Sequence, residues 1–336
     1  MKYQNKISFT ILRKDTDKRF DAALFAILGT EFPEYDYSRG FAKRLIQNGD
    51  ATLDGRKTKP STPVDQDAVI EINASAFVPA TTTLRPNIDI APTIIKETTD
   101  YLVIDKPAGL QVHPVTHTAG NTLANWIIAA YPETASVGED PLRPGIVHRL
   151  DRETSGIMMI AKTKKGFDEL KHVFHDRLAE KTYIALVFGH MSELTGIIDQ
   201  PIGQRSGELR RRSGSNLPEN AREAMTTYRV IARYKDCDLV IATPKTGRTH
   251  QIRVHMAALG HPIIGDTLYA SKPMRQPKAL SAHRHMLHAW RLSLPLFGQN
   301  LSFQAPLPTD FKDILSGVDP GTYFDADLCQ QITGSR

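Results

Sequence analysis

Cysteine is nearly missing from this chain of 336 residues, which has only Cys237 and Cys329. Two cysteines cannot build a disulfide framework, and without a CxxC pair no thiolate metal site is expected. A reducing, cytoplasmic setting fits that scarcity. Long apolar runs are also missing, and the longest falls far short of a membrane span. The start, Met1 to Lys6, is polar, so no secretory leader is expected there. No P-loop and no G-x-G-x-x-G turn occurs, which leaves a nucleotide cofactor without support. No G-x-S-x-G elbow occurs, and Ser155 follows Asp151 too closely for a relay with His148. No second carboxylate stands in an equally constrained loop, which argues against a two-carboxylate glycosidase. His250 and His255 lack the i,i+4 spacing of a helical metal pair. The cluster His283, His285 and His288 has no carboxylate or thiolate support, so no metal site is expected.

What is present is ordinary for a soluble globular protein: 40% hydrophobic and 24% charged residues. The length suggests about two domains. The net charge of +5 permits a polyanionic partner. Its distribution is uneven: residues 141–260 hold 20 Lys+Arg against 13 Asp+Glu, and residues 1–80 hold 12 against 11. The positive surplus therefore belongs to the middle of the chain.

Near the start, Phe20, Ala23, Leu24, Ile27 and Leu28 have helical spacing. Ser38 is a candidate N-cap for a second helix through Phe41, Leu45 and Ile46, ending near Asn48-Gly49. Asp54-Gly55 signals a hairpin, and Ala68 to Ile72 reads as a short strand. The second helix carries Arg39, Lys43 and Arg44, and the hairpin adds Arg56, Lys57 and Lys59. Such sets are often no more than a solvated face, but here two basic clusters flank one short turn, Asn48 to Asp50. A basic helix, an Asn-Gly turn and a strand-turn hairpin in that order resemble the αL-type RNA-binding domain first named for ribosomal protein S-four. The likeness covers about residues 19–72. Residues 76–93, with Pro79, Pro86, Pro92 and Thr81 to Thr83, read as a linker.

Beyond it, four segments each join a short apolar strand to a loop rich in Gly, Pro or charge. The first is Tyr101 to Pro114, which presents Lys106 and His113 from a tight turn; a purely structural turn is the favoured reading for both. The second is Gly145 to Gly156 followed by the apolar run Ile157 to Ala161. In it a single carboxylate, Asp151, stands between Arg149 and Arg152. Fixed positive charge favours the anionic form of a carboxylate, which suits a nucleophile or a base. It also suits an ordinary surface ion pair. The third segment, Lys181 to Gly189, sets Tyr183 at the start of a buried strand. In the fourth, the strand Cys237 to Ala242 precedes a turn and a helix for which Thr249 is the candidate cap, with Ile252, Met256 and Leu259 as its apolar stripe and Gly260 as its end. Arg253 then lies beside the apolar face, and a partly buried arginine needs a partner such as Asp151.

Taken in order, "YLVIDKPAGLQVHP", "GIVHRLDRETSGIMMIAKT", "EKTYIALVFGH" and "GRTHQIRVHMAALGHPIIGDTLY" resemble the RluA-type RNA pseudouridine synthases. The resemblance implies an α+β catalytic fold around a mixed, mainly antiparallel sheet at 94–320, after an αL-type domain at 1–75 and the linker at 76–93, with a C-terminal tail at 321–336. It implies an isomerase that needs no cofactor and no metal. Asp151 maps to the catalytic aspartate, with its choice between nucleophile and base left open. Tyr183 maps to a base-facing tyrosine proposed to take a proton, and Arg253 to the partner of the aspartate. Arg149 maps to an arginine that holds the flipped nucleotide's place in the RNA. The expected partner is RNA, of the 23S-type large ribosomal subunit, with transfer RNA and a non-catalytic assembly role as alternatives. No membrane partner is expected, and the expected state is a monomer. Arg205, Arg210, Arg211 and Arg212, in the loop Gly203 to Gly214, read either as a solvated loop or as phosphate contacts.

Overall fold

A computed structural model describes residues 6–11, 18–31, 39–73, 84–114, 120–205, 208, 210–214, 217–270, 282–319 and 321–333. The chain divides into two compact units, residues 1–82 and 83–336. Ser38 and residues 76–83 of the expected linker fall outside the described residues.

The first unit contains β1 (Lys6–Thr10), α1 (Phe20–Glu31), α2 (Arg39–Asn48), β2 (Ala51–Leu53) and β3 (Val69–Asn73). Both expected helices are present. Phe20, Leu24 and Leu28 of α1 pack with Leu45 and Ile46 of α2 and with Ile70 and Ile72 of β3. The strands form an antiparallel sheet in the order β1-β3-β2. Asp54 and Gly55 have φ of 49° and 72°, as a two-residue turn with both central residues left-handed requires. The hairpin this turn closes is a single bridge, Leu53 to Arg56, and the longer partner of β2 is β3. The reason lies in Asp54, which exchanges backbone and side-chain hydrogen bonds with Val69 at 2.8 Å and so docks the turn onto the start of β3.

The second unit begins with β4 (Thr93–Glu97), β5 (Tyr101–Lys106), α3 (Leu123–Ala130), β6 (Ser155–Ala161), α4 (Lys164–His175) and β7 (Glu180–Phe188). There follow β8 (Thr195–Asp199), β9 (Ile202–Gln204), β10 (Arg211–Ser213), β11 (Met225–Arg233), β12 (Cys237–Pro244) and α5 (Gln251–Ala258). Last come β13 (Leu287–Leu296), β14 (Gln299–Gln304), α6 (Thr309–Ser316), β15 (Tyr323–Phe324) and α7 (Ala326–Thr333). One ten-stranded sheet runs β15-β11-β12-β7-β13-β6-β5-β4, with β14 added to β13 and β8 to β11. Among the described pairings in this sheet, β13 with β6 is the parallel one. The fold is therefore α+β with a mixed, mainly antiparallel sheet.

Each of the four strands expected from the sequence appears, as β5, β6, β7 and β12. Strand β6 is buried along its whole length, which explains why Ile157 to Ala161 has no polar alternation. Gly156, with φ of +116°, lets β6 pass so close to β13 that an added Cβ would overlap the Ala289 carbonyl.

Three expectations need correction. The C-terminal tail is part of the sheet domain: β15 pairs with β11, and Cys329 and Ile332 of α7 are buried in the core. Strand β15 has only two residues and is too short to show a period. The described end of the linker is also packed, since Asn125 Nδ2 donates to Arg85 O at 2.8 Å and Leu84 is buried. Finally, α5 is not capped by Thr249. His250 stands at its N-terminus in a left-handed conformation, φ 60°, and Gln251 Oε1 accepts from Arg248 N at 3.0 Å and Thr246 Oγ1 at 2.7 Å. Of the expected stripe, Ile252 and Met256 are buried and Leu259 is exposed.

Candidate active site

The loop carrying Asp151 leaves an isolated bridge at Ile146 and ends where β6 begins at Ser155. A loop has few neighbours of its own, so its shape must come from bonds to other segments. Lys106 supplies one set. Its fully buried ammonium donates to Pro107 O at 2.7 Å, Leu110 O at 2.9 Å and Arg152 O at 3.1 Å. Burial draws it down to about 7, while Glu153 acts in the opposite direction. Three carbonyls for three N–H donors likewise favour the ammonium form. Gly109 N donates to Arg152 O at 2.9 Å, and Arg152 Nε returns a bond to Gly109 O at 3.0 Å. From the other side, Arg284 donates to Glu153 O at 3.1 Å and is itself held by Asp310 of α6 at 2.6 and 2.9 Å. His148 Nε2 accepts from Met159 N at 2.9 Å, and its ring stacks on Phe174. The turn reading of Lys106 is thus right in kind, but the bonds cross to the Asp151 loop, which sequence spacing does not disclose.

Asp151 lies at the end of this scaffold. Arg253 Nη1 donates to its Oδ2 at 3.0 Å, and His250 Nε2 stands 3.8 Å from the same oxygen. The rest of the Arg253 guanidinium grips Asp266, Nε to Oδ2 at 2.6 Å and Nη2 to Oδ1 at 3.0 Å. Asp266 is fully buried and also accepts from Leu268 N and Tyr269 N. Its burial favours the neutral acid, but the Arg253 bonds and charge outweigh that and hold the carboxyl below the usual range. Burial likewise disfavours the Arg253 charge, and Asp266 with Asp151 more than restores it. Sequence reasoning misses Asp266; an acidic residue following Gly265 in an apolar stretch is the available signal.

Tyr183, near the start of β7, pairs with Ala289 on one side and Ala242 on the other. Burial, and then the Asp151 charge, raise its phenol above the ordinary value. Tyr183, Asp151, Arg149, Ile252, Arg253 and Leu287 line a cavity of about 660 Å³, within the range of ligand pockets. Among the described residues, no group of three or more His, Cys, Asp or Glu is placed to hold a metal. His255 and His288 instead bond Thr226 and Ser155 at 2.9 Å each.

The other basic candidates separate. Arg149 is exposed and lines the cavity, whereas Arg152 pairs with Glu153 at 3.5 Å. The expected loop of Arg205 to Arg212 is partly a hairpin, β9 with β10. Arg210 lies over the Tyr269 ring at 5.7 Å and Arg211 N donates to the Tyr269 hydroxyl at 3.2 Å. That hydroxyl also bonds His250 Nδ1 at 2.8 Å, so the hairpin is wired to the site. Arg205 is exposed, and Arg212 pairs with Glu208 at 3.3 Å. In the first unit Lys43, Arg44, Arg56 and Lys57 are exposed, while Arg39 pairs with Asp21 at 3.3 Å.

A family model described as RNA pseudouridylate synthase matches residues 100–258, which contain Asp151, Tyr183 and Arg253. An uncharacterized RNA pseudouridine synthase of Chloroflexus aurantiacus is 41% identical over 83% of this chain and 85% of its own. The ribosomal large subunit pseudouridine synthase D of Yersinia pestis is 33% identical over 96% of this chain and 97% of its own. In structure, human RNA Pseudouridylate Synthase Domain Containing 1 superposes with a TM-score of 0.59 at 28% identity, covering 74% of this chain and 97% of its own. With a fold, an ordered set of motifs and full-length relatives in agreement, the chain belongs to the RNA pseudouridine synthases, isomerases that act on RNA.

Proposed function

We propose that this enzyme isomerises a uridine of large-subunit ribosomal RNA with Asp151 as its catalytic residue. The observation that carries the reading is the Asp151 carboxylate, fixed by Arg253 at 3.0 Å on the wall of the Tyr183 cavity. The ribosomal substrate rests on the activities named for relatives from Yersinia pestis and Xanthomonas campestris. The reaction breaks N1–C1′, turns the uracil and joins C1′ to C5; the C5 proton is lost and N1 gains one, so the composition is unchanged. A carboxylate beside C1′ can act as nucleophile or as base. Arg253 aims it and balances its charge. Tyr183, whose phenol is raised by burial, offers the uracil a ring face and a hydroxyl rather than a phenolate. The cavity walls hold the freed base beside Asp151. Arg149, exposed on the cavity lining, would fill the gap left in the RNA by the displaced uridine.

The first unit extends this reading. We assign it RNA binding of the αL type, through Lys43, Arg44, Arg56 and Lys57, with Arg39 contributing less because Asp21 already engages it. Asp151→Asn is expected to abolish tritium release from RNA labelled at uridine C5 while leaving RNA affinity within about twofold; substantial turnover would sink the catalytic assignment. Pseudouridine mapping in total RNA from a deletion strain tests the substrate. A missing site in large-subunit ribosomal RNA supports it, and one confined to transfer RNA overturns it.

A further inference from the structure

A second cavity adjoins the first. It measures about 520 Å³ and shares Arg149, Leu150, Asp151, His250 and Arg253 with the Tyr183 cavity. The two therefore meet at the catalytic residues. The remainder of its lining includes Gln111, Val112, His113, Thr267 and His283. His113 sets it apart. Its side chain is buried, at 7% exposure, and its Nδ1 has no hydrogen-bond partner among the described residues. A buried polar atom left unpaired is unfavourable, so such atoms are rare unless something else satisfies them.

The backbone that carries this imidazole is held in place. Gln111 Nε2 donates to His113 O at 2.8 Å, and Leu123 N and Ala124 N of α3 donate to Gln111 O and Val112 O at 2.8 and 3.0 Å. Burial, then the charges of Arg143 and Arg149, bring His113 down to about 4. At neutral pH the ring is therefore uncharged, with one donor and one acceptor nitrogen. That chemistry reads the edge of a nucleobase; it is poorly suited to gripping a phosphate. Cationic phosphate partners stand close by in Arg149 and Arg152, both exposed and both on the same cavity.

Resting on the uridine isomerase reading, we propose that this cavity holds the base of a nucleotide adjoining the target uridine, and that His113 reads that base. A chain that places one nucleotide at Asp151 must continue past the residues the two cavities share. A neighbour is thus delivered to the second cavity by covalent connection, with no separate ligand needed. The site then tests the target and its neighbour together.

The experiment uses the full chain and a short synthetic RNA carrying the mapped uridine. An abasic ribose replaces each flanking nucleotide in turn, and single-turnover rates are read by tritium release. The wild-type enzyme should lose about tenfold at one flanking position. His113→Ala should lose a similar factor on intact RNA, yet lose less than about twofold more when the base at that position is also removed. Penalties at the other positions should persist in the variant. Thr267→Val, on the same cavity but outside the His113 loop, should couple to the same position and guards against a variant that merely misfolds. Independent, multiplying penalties at every position overturn the proposal. A wild-type enzyme inactive on the intact RNA would instead overturn the uridine isomerase reading, so the two failures are distinct.

Discussion

Arg253 serves two carboxylates at once, and only a guanidinium has the donors and the planar fork to do it. Asp266 fixes the plane of the fork, and the remaining nitrogen then has one direction in which to meet Asp151. Lysine has a single nitrogen, so Arg253→Lys is expected to lower kcat by about 100-fold with RNA affinity changed less than threefold. Single-turnover rates beside filter binding check this, and a loss of affinity alone would contradict it. Arg253→Leu goes further, leaving Asp266 buried without its cation, and should reduce stability by about 3–5 kcal/mol in denaturant melts. The Asp151–Arg253 pair is legible in the sequence, because an arginine on an apolar helical stripe asks for a carboxylate. Asp266 is not, since the turn that brings it back to α5 leaves no periodic trace.

The β9–β10 hairpin is the element at which the site meets the arginine cluster. Tyr269 joins the two with its hydroxyl, bonded to His250 and to the Arg211 backbone, and with its ring, under Arg210 and Arg253. Tyr269→Phe keeps the ring and removes the bonds. It should slow turnover by about tenfold while leaving the salt dependence of RNA binding unchanged. Arg210→Ala and Arg205→Ala should do the reverse, each lowering the slope of log affinity against log salt by about 0.7–0.9 if it meets a phosphate. A flattened slope in Tyr269→Phe would show that the tyrosine acts through the arginines' charge. Strands β5, β6, β7 and β12 of the main sheet are readable because each carries a short apolar run. The hairpin itself reads as a loop because three-residue strands carry no pattern, and the two-residue β15 is unreadable for the same reason.

At the scale of the whole molecule, buried histidines set the acid limit. Burial brings His285, His288 and His113 each down to about 4, and His148 to about 3. Each is bound or packed as a neutral ring; His148 accepts a backbone N–H and His288 donates to Ala305 O at 3.1 Å. Unfolded histidines take up protons near pH 6.5, so between that value and about 4 the unfolded chain binds more protons than the folded one. Stability should therefore fall as pH falls through this window. The total loss should be several kcal/mol, since each tenfold change in one ring's proton affinity is about 1.4 kcal/mol. Chemical denaturation at pH 7, 5.5 and 4.5 measures it, and a flat profile would contradict the neutral assignment. The sequence does not say that these histidines are packed, since segments distant in the chain surround them. Packing between distant segments also governs how the enzyme selects its substrate. Lys106, Arg284 and Gly109 tie the Asp151 loop to the core on both sides, so that loop has little left to rearrange when RNA arrives. The rearrangement then falls on the nucleic acid. A uridine extrahelical about 1% of the time binds about 100-fold more weakly than one already open, because apparent affinity scales with the competent fraction. Discrimination among uridines of identical local sequence thus follows from the opening equilibrium of the RNA itself.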